Sequence, residues 1–80
     1  MYYVYILECS DHTLYTGITN DIEQRLAKHS SGKGAKYVRG RLPIKLVHQE
    51  QYETKSEALK REIAIKALPK SEKIDLINGI

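Results

Sequence analysis

The sequence predicts a small α+β domain in which a three-stranded antiparallel sheet is flanked by helices. Two short runs near the N-terminus alternate with a period of two and are separated by polar residues, which is typical of a β-hairpin. A third run of strand type follows a proline in mid-chain, and apolar residues at helical spacing lie between and after the strands. A chain of 80 residues leaves room for one domain, residues 1–80, which buries only about 60–65% of its unfolded surface.

The first predicted strand covers residues 2–8 and is rich in β-branched and aromatic side chains. Its alternation places Tyr3, Tyr5 and Leu7 on one face and Tyr2, Val4 and Ile6 on the other. The second predicted strand covers residues 13–18, and the turn residues 10–12 join the two. The hairpin should therefore bring Tyr5 close to Tyr15.

The first predicted helix covers residues 21–30. Asn20 is a suitable N-cap, and Glu23 stands three positions later, as in a capping box. Helical spacing places Arg25 and His29 on the same flank, one turn apart. We expect both side chains to border the core.

A basic connection, residues 35–41, should contain one helical turn around Tyr37, and the third strand is predicted over residues 44–52, after Pro43. A capping box at residues 54–57 begins the longest helix, which should stop at Pro69. We expect Leu59 and Ile63 to face the sheet and to carry Glu62 to its edge. A last helix is predicted over residues 71–77, with Ile74 and Ile77 as its apolar contacts.

The net charge is only +3, but the basic residues are concentrated in one stretch. No acid lies between Glu23 and Glu50, and that interval holds seven of the thirteen lysines and arginines. We call residues 25–45 the basic segment. Such a segment attracts nucleic acid, because each phosphate that it neutralises releases counterions. A solvated loop whose lysines serve solubility fits the composition equally well.

The order of four motifs resembles the GIY-YIG nuclease domain over nearly the whole chain. The tripeptides YVY at residues 3–5 and YTG at residues 15–17 are similar to the paired motif of that family. Arg25 and Glu62 stand where the family has its arginine and its metal-binding glutamate. Tyr3 replaces the first glycine of the family motif and Thr16 its middle isoleucine, while both motif tyrosines and Gly17 are present.

This resemblance implies metal-dependent cleavage of nucleic acid, with Glu62 as the ligand of Mg²⁺ or Mn²⁺. One carboxylate can suffice, because Mg²⁺ keeps several waters and takes only one or two protein carboxylates. Arg25 would bind the scissile phosphate through its forked donors. Tyr5 and Tyr15 would orient or deprotonate the attacking water, and His29 would accept a proton from a tyrosine.

The expected nucleic-acid contacts are Gly17, Lys33, Lys36, Tyr37, Arg39 and Arg41. Glycine lets a backbone approach a phosphate, and the tyrosine can stack on a base or bond a phosphate. We expect DNA rather than RNA as the partner. Larger family members carry a separate domain that chooses the target. A lone domain should therefore have low sequence specificity, cleave selectively by structure, or depend on a partner protein or on self-association for its target.

Each candidate residue also has a plain structural interpretation. The two motif tyrosines can simply pack in the sheet, and Arg25 can be an ordinary exposed helix residue. Glu62 can form a surface pair with Lys66, and His29 can interact with the helix dipole. The sequence therefore leaves two other functions open: a nucleic-acid-binding module without turnover, and a protein-interaction domain with no nucleic-acid role.

No stretch of the sequence has the pattern of a signal peptide or the length of a membrane span. The lone Cys9 has no partner for an internal disulfide, as is usual in a reducing compartment. We therefore expect a cytoplasmic protein with no membrane partner.

Overall fold

The computed structural model describes residues 1–80 and contains three strands and four helices. In chain order they are β1 (Tyr2–Glu8), β2 (Leu14–Thr19), α1 (Ile22–Ser30), α2 (Lys36–Arg39), β3 (Lys45–Tyr52), α3 (Lys55–Lys66) and α4 (Lys70–Ile77). The predicted α+β class and the order of the elements are confirmed. The single turn of helix expected around Tyr37 is α2.

The sheet is antiparallel throughout and has the strand order β2-β1-β3. β1 is therefore central, and β2 and β3 each have one unpaired edge. In the register of the sheet, Tyr5 of β1 lies between Gly17 of β2 and Gln49 of β3. Paired residues share a face of the sheet. The pair of Tyr5 and Gly17 therefore lies on the same side as the pair of Leu7 and Tyr15, two residues further along β1.

The hydrophobic core lies on the opposite face of β1. Val4 and Ile6 are fully buried there and pack against Ala58 and Ile65 of α3. The period of two in the first strand predicted this division correctly, since Tyr5 lies on the other face and contacts His29 of α1 instead.

The side of α3 that faces the sheet differs from the predicted one. Leu59 and Ile63 are 38% and 65% exposed, whereas Ala58 and Ile65 are buried. The prediction was wrong because apolar residues lie on both sides of this helix, so their spacing does not identify the inner face. Glu62 follows Ala58 by one turn, and its side chain is only 15% exposed.

A polar contact between α3 and β3 fixes this orientation of the helix. The guanidinium of Arg61 donates from Nε and from a terminal nitrogen to the two carboxylate oxygens of Glu50, at 2.8 and 3.1 Å. The Tyr52 hydroxyl donates to Glu50 at 2.6 Å, and Nε2 of His48 lies 2.7 Å from the same carboxylate. Burial alone would raise the pKa of Glu50, but these hydrogen bonds together lower it to about 2.

Helix α4 packs against the core through Leu76 and Ile77. Ile74, predicted as one of its apolar contacts, is 41% exposed. None of the four helices combines the length and the apolar composition needed to cross a lipid bilayer.

Candidate active site

Tyr5 and His29 form the buried centre of the candidate site. Each is 1% exposed, and the Tyr5 hydroxyl lies 3.0 Å from Nε2 of His29. The Tyr5 ring reaches the histidine by crossing Gly17 of the neighbouring strand, where a Cβ would lie 2.6 Å from the hydroxyl oxygen. Gly17 is therefore required by the close approach of a side chain.

A second glycine, Gly34, encloses His29 from the loop before α2. A Cβ at this position would overlap Nδ1 of the imidazole, which is buried and has no hydrogen-bond partner. Burial, and then the positive charges of Arg25 and Lys28, lower the pKa of His29 below its usual 6.5. The ring is therefore neutral at physiological pH and can accept a proton. Gly34 was not among the site residues predicted from the sequence.

The environment of Tyr5 brings Arg25 and Glu62 into the same site. The pKa of Tyr5 is raised to about 12, chiefly by burial and then by the neighbouring Tyr15; the charge of Arg25 acts to lower it and the charge of Glu62 to raise it. Side chains from β2, α1 and α3 therefore act on the phenol that β1 supplies. At neutral pH that phenol is protonated.

A series of neighbouring aromatic rings extends from Tyr5 and His29 to the surface of the protein. The Tyr15 ring lies 6.4 Å from that of Tyr5 and 5.5 Å from that of His29. Tyr37 of α2 stacks on Tyr15 at 6.0 Å, and the Arg41 guanidinium covers Tyr37, 4.0 Å from its centroid. Because rings and guanidinium lie in series, α2 holds Tyr15 in place.

Glu62 is the carboxylate that can hold a metal ion in this site. Lys66, one turn further along α3, lies 3.6 Å from its Oε2. No group of three or more histidine, cysteine, aspartate or glutamate side chains suited to a metal occurs in the structure. A site with one carboxylate fits Mg²⁺ or Mn²⁺, since Mg²⁺ keeps most of its waters, whereas zinc takes three or four protein ligands.

The four charged residues of the basic segment that were expected to contact nucleic acid are of two kinds. Lys33 and Lys36 are exposed, and their side chains make no hydrogen bond or ion pair within the protein. Arg39 and Arg41 instead bond to the protein itself: Arg39 donates to the carbonyl of Gly34 at 3.1 Å, and Arg41 donates to the carbonyl of Tyr37 at 2.8 Å and to Asp11 at 3.1 Å. Of these four side chains, the two lysines are thus the more available to a ligand.

Comparison with known proteins identifies the fold family. The model of the GIY-YIG catalytic domain matches residues 1–75. The chain belongs to the GIY-YIG family. A UPF0213 protein of Staphylococcus aureus is 54% identical over 95% of this chain and 93% of its own length, and one of Natronomonas pharaonis is 51% identical over 95% and 89%.

Two solution NMR structures have the same GIY-YIG architecture. A UPF0213 protein of Bacillus halodurans is 48% identical and superposes with a TM-score of 0.63 over 98% of this chain and 84% of its own. A protein of E. faecalis is 41% identical, with a TM-score of 0.67 over 98% and 83%. GIY-YIG domains belong to a nuclease superfamily whose members generally need a metal ion and act on nucleic acid.

Proposed function

We propose that this GIY-YIG protein is a metal-dependent endonuclease that hydrolyses phosphodiester bonds, in DNA rather than RNA, with low intrinsic sequence specificity. The observation that carries the proposal is the convergence of five side chains at one edge of the sheet: Tyr5, Tyr15, Arg25, His29 and Glu62. A purely structural cluster has no need of a half-buried carboxylate, a guanidinium and a neutral histidine around a single phenol.

In this proposal Arg25 binds the scissile phosphate. A guanidinium stays charged at every physiological pH, and its forked donors match two phosphate oxygens. Arg25 is only partly buried, and it borders the cleft formed by residues 18–20 beside Lys55. It can therefore contact a ligand while its charge still acts on Tyr5.

Tyr5 and His29 activate the attacking water by a proton relay that runs from the water through Tyr5 to His29. The water gives a proton to the Tyr5 oxygen while the Tyr5 hydroxyl gives its own proton to Nε2 of His29. Such a transfer never requires a free tyrosinate, which a pKa of about 12 would make scarce. Of the two motif tyrosines, Tyr5 has the histidine within hydrogen-bond distance, so Tyr15 is assigned the orientation of the water.

Glu62 would hold the divalent ion. When bound, the ion would supply positive charge that stabilises the negative charge developing on the phosphate. The contact of Lys66 with this carboxylate would be easily given up, because the pair is partly exposed and worth only about 0.2–0.5 kcal/mol. Lys33 and Lys36 contact the nucleic acid outside the site, and the choice of target depends on a partner protein or on self-association.

The test is a cleavage assay with duplex, single-stranded and branched DNA and with RNA, in Mg²⁺, in Mn²⁺ and in EDTA. We expect nicking of DNA that needs the metal ion. A mock purification from cells that lack the protein controls for contaminating nucleases. Salt-dependent binding without metal-dependent cleavage would instead favour a binding module, and no affinity for any nucleic acid would favour a protein-interaction domain.

A further inference from the structure

Two clefts lie along the unpaired edge of β2, one on each side of Gly17. The first, of about 300 Å³, is bordered by residues 18–20, at the end of the strand. The second, of about 220 Å³, is bordered by residues 14–16, at its start. Gly17, between them, is the residue that the Tyr5 ring crosses. The candidate active site therefore lies between the two clefts.

The charge of these two clefts separates them from the other cavities of the molecule. Arg25 and Lys55 border the first, and Lys66 and Lys73 border the second. Neither cleft is lined by an acidic residue. The two remaining cavities each include acids: one has Glu8 beside Lys45 and Lys70, and the other has Asp21 and Glu23. The β2 edge thus carries basic side chains at both ends, on a protein whose net charge is only +3.

Helix α3 supplies a lysine to each cleft because it runs antiparallel to β2. Lys55, at its first turn, lies near the end of β2, and Lys66, at its last turn, lies near the start. These two positions are about 16 Å apart along the helix axis, at 1.5 Å per residue. That separation is too large for both lysines to bind one phosphate, and Glu62 lies between them.

The second cleft is suited to a phosphodiester backbone rather than to a stacked base. Tyr37 is its exposed aromatic residue, but its ring already stacks with Tyr15 at 6.0 Å and has the Arg41 guanidinium 4.0 Å from its centroid. These contacts compete with the stacking of a base on the ring. Lysine ammonium groups, in contrast, bind phosphates as point charges.

We propose that the exposed edge of β2 is the track of the nucleic-acid backbone, and that Lys55 on one side and Lys66 and Lys73 on the other bind the phosphates flanking the one that is cleaved. The position of the cleaved phosphate rests on the proposed nuclease function. Binding along the track itself does not depend on cleavage. A single strand and one strand of a duplex present the same phosphodiester chemistry to it.

The test compares the Lys55→Gln, Lys73→Gln double variant with a matched control, Lys60→Gln, Lys70→Gln. All four lysines are on α3 or α4, each pair removes two charges, and neither control residue borders a β2 cleft. Binding of a fluorescent single-stranded oligonucleotide and of its duplex is measured by anisotropy in EDTA, from about 50 to 200 mM salt, a range over which phosphate contacts make affinity fall steeply with salt. Thermal unfolding of each variant verifies that the fold is intact.

We expect the cleft variant to bind about tenfold more weakly, and its plot of log affinity against log salt to flatten by about 0.7 per lost contact on the single strand or about 0.9 on the duplex. The control should bind like the wild type. Whichever oligonucleotide, single strand or duplex, loses more affinity in the cleft variant is the form of nucleic acid that the β2 edge binds. Equal behaviour of the two double variants overturns the track, even if the wild type cleaves. Loss of affinity in the cleft variant supports the track, even if the wild type does not cleave.

Discussion

The ring of Tyr5 lies across Gly17, so closely that a single added methyl group would lie 2.6 Å from the phenol oxygen and 2.8 Å from Cζ. This contact carries the Tyr5 hydroxyl from the central strand over to His29. The absence of a side chain at Gly17, the glycine of the family motif, therefore allows the Tyr5 ring to reach from β1 to α1.

Gly17→Ala should displace the Tyr5 hydroxyl from His29, because a ring that is 1% exposed has no free volume to move into. We expect a loss of about 1–3 kcal/mol of stability, as for other overpacked cores, and a larger loss of cleavage rate. Urea unfolding and single-turnover cleavage measure the two effects. Gly40→Ala is the control, since nothing lies within 4 Å of its Cβ position and its φ of −89° suits alanine. Equal behaviour of the two variants would show that the Tyr5 contact is unimportant.

The cleavage rate should fall at acid pH, and the midpoint of this fall, the acid limb of the pH profile, should lie below pH 6.5. The reason is that the neutral form of His29 accepts the proton, and the pKa of His29 is below the usual 6.5. Activity is full above that pKa and falls as the pH drops through it. Lys28→Gln removes a neighbouring positive charge, so it should move the limb to higher pH. His29→Gln should remove the limb together with most of the rate. If the limb persists in His29→Gln, another group accepts the proton.

Glu62→Gln should abolish metal-dependent cleavage and leave the fold and the affinity in EDTA nearly unchanged. The amide keeps the size of the side chain but loses the charge that holds a divalent ion. Arg25→Ala should lower both the cleavage rate and the affinity, because it removes a phosphate contact. Exposed Glu53→Gln is the control for charge. If the Glu62→Gln protein cleaves at the wild-type rate, Glu62 is not part of the active site.

Within the basic segment, Lys33 and Lys36 should contribute more to binding than Arg39 and Arg41, which bond to the protein itself. Lys33→Gln, Lys36→Gln should flatten the salt dependence of duplex binding by about 0.9 per lost contact. The Lys60→Gln, Lys70→Gln variant serves again as the control of equal charge. If both double variants bind alike, the basic segment does not contact nucleic acid.

Stability should fall between pH 4.5 and 2 in a way that depends on Glu50. Its folded-state pKa of about 2 lies below the ordinary 4.5, so its contribution is complete above pH 4.5 and is lost as the pH drops toward 2. Glu50→Gln should flatten this dependence and cost about 1.5–3 kcal/mol at neutral pH, as for hydrogen bonds to charged groups. Urea unfolding across this pH range measures both. An unchanged acid dependence in Glu50→Gln would exclude it as the responsible carboxylate.

The sequence predicted the sheet well because its signals are local. The period of two in β1 separates Val4 and Ile6 from Tyr5 without any knowledge of the partner strands. Caps are local signals too. The Thr54 hydroxyl accepts from the backbone of Glu57 as the capping box predicts, but α1 is capped by Asp21, one position after the predicted Asn20.

The orientation of α3 and the charge around the site could not be predicted in this way. Apolar residues occur on both sides of α3, and its inner face is fixed by the contact of Arg61 with Glu50, eleven positions earlier in another element. The basic segment was visible as a run in the sequence. Lys55, Lys66 and Lys73 are scattered among acids along the chain and are brought to one edge by folding alone.

The fully buried Ala58 determines how far α3 stands from the sheet. With 0% exposure, its methyl group is the spacer between the helix backbone and the central strand. A glutamate side chain has a short reach, so Glu62, one turn later, comes near Tyr5 only while that spacer is small. Variation at the outward Leu59 and Ile63 is compatible with this distance, whereas a valine or leucine at position 58 would widen the gap between the layers and separate the two halves of the site.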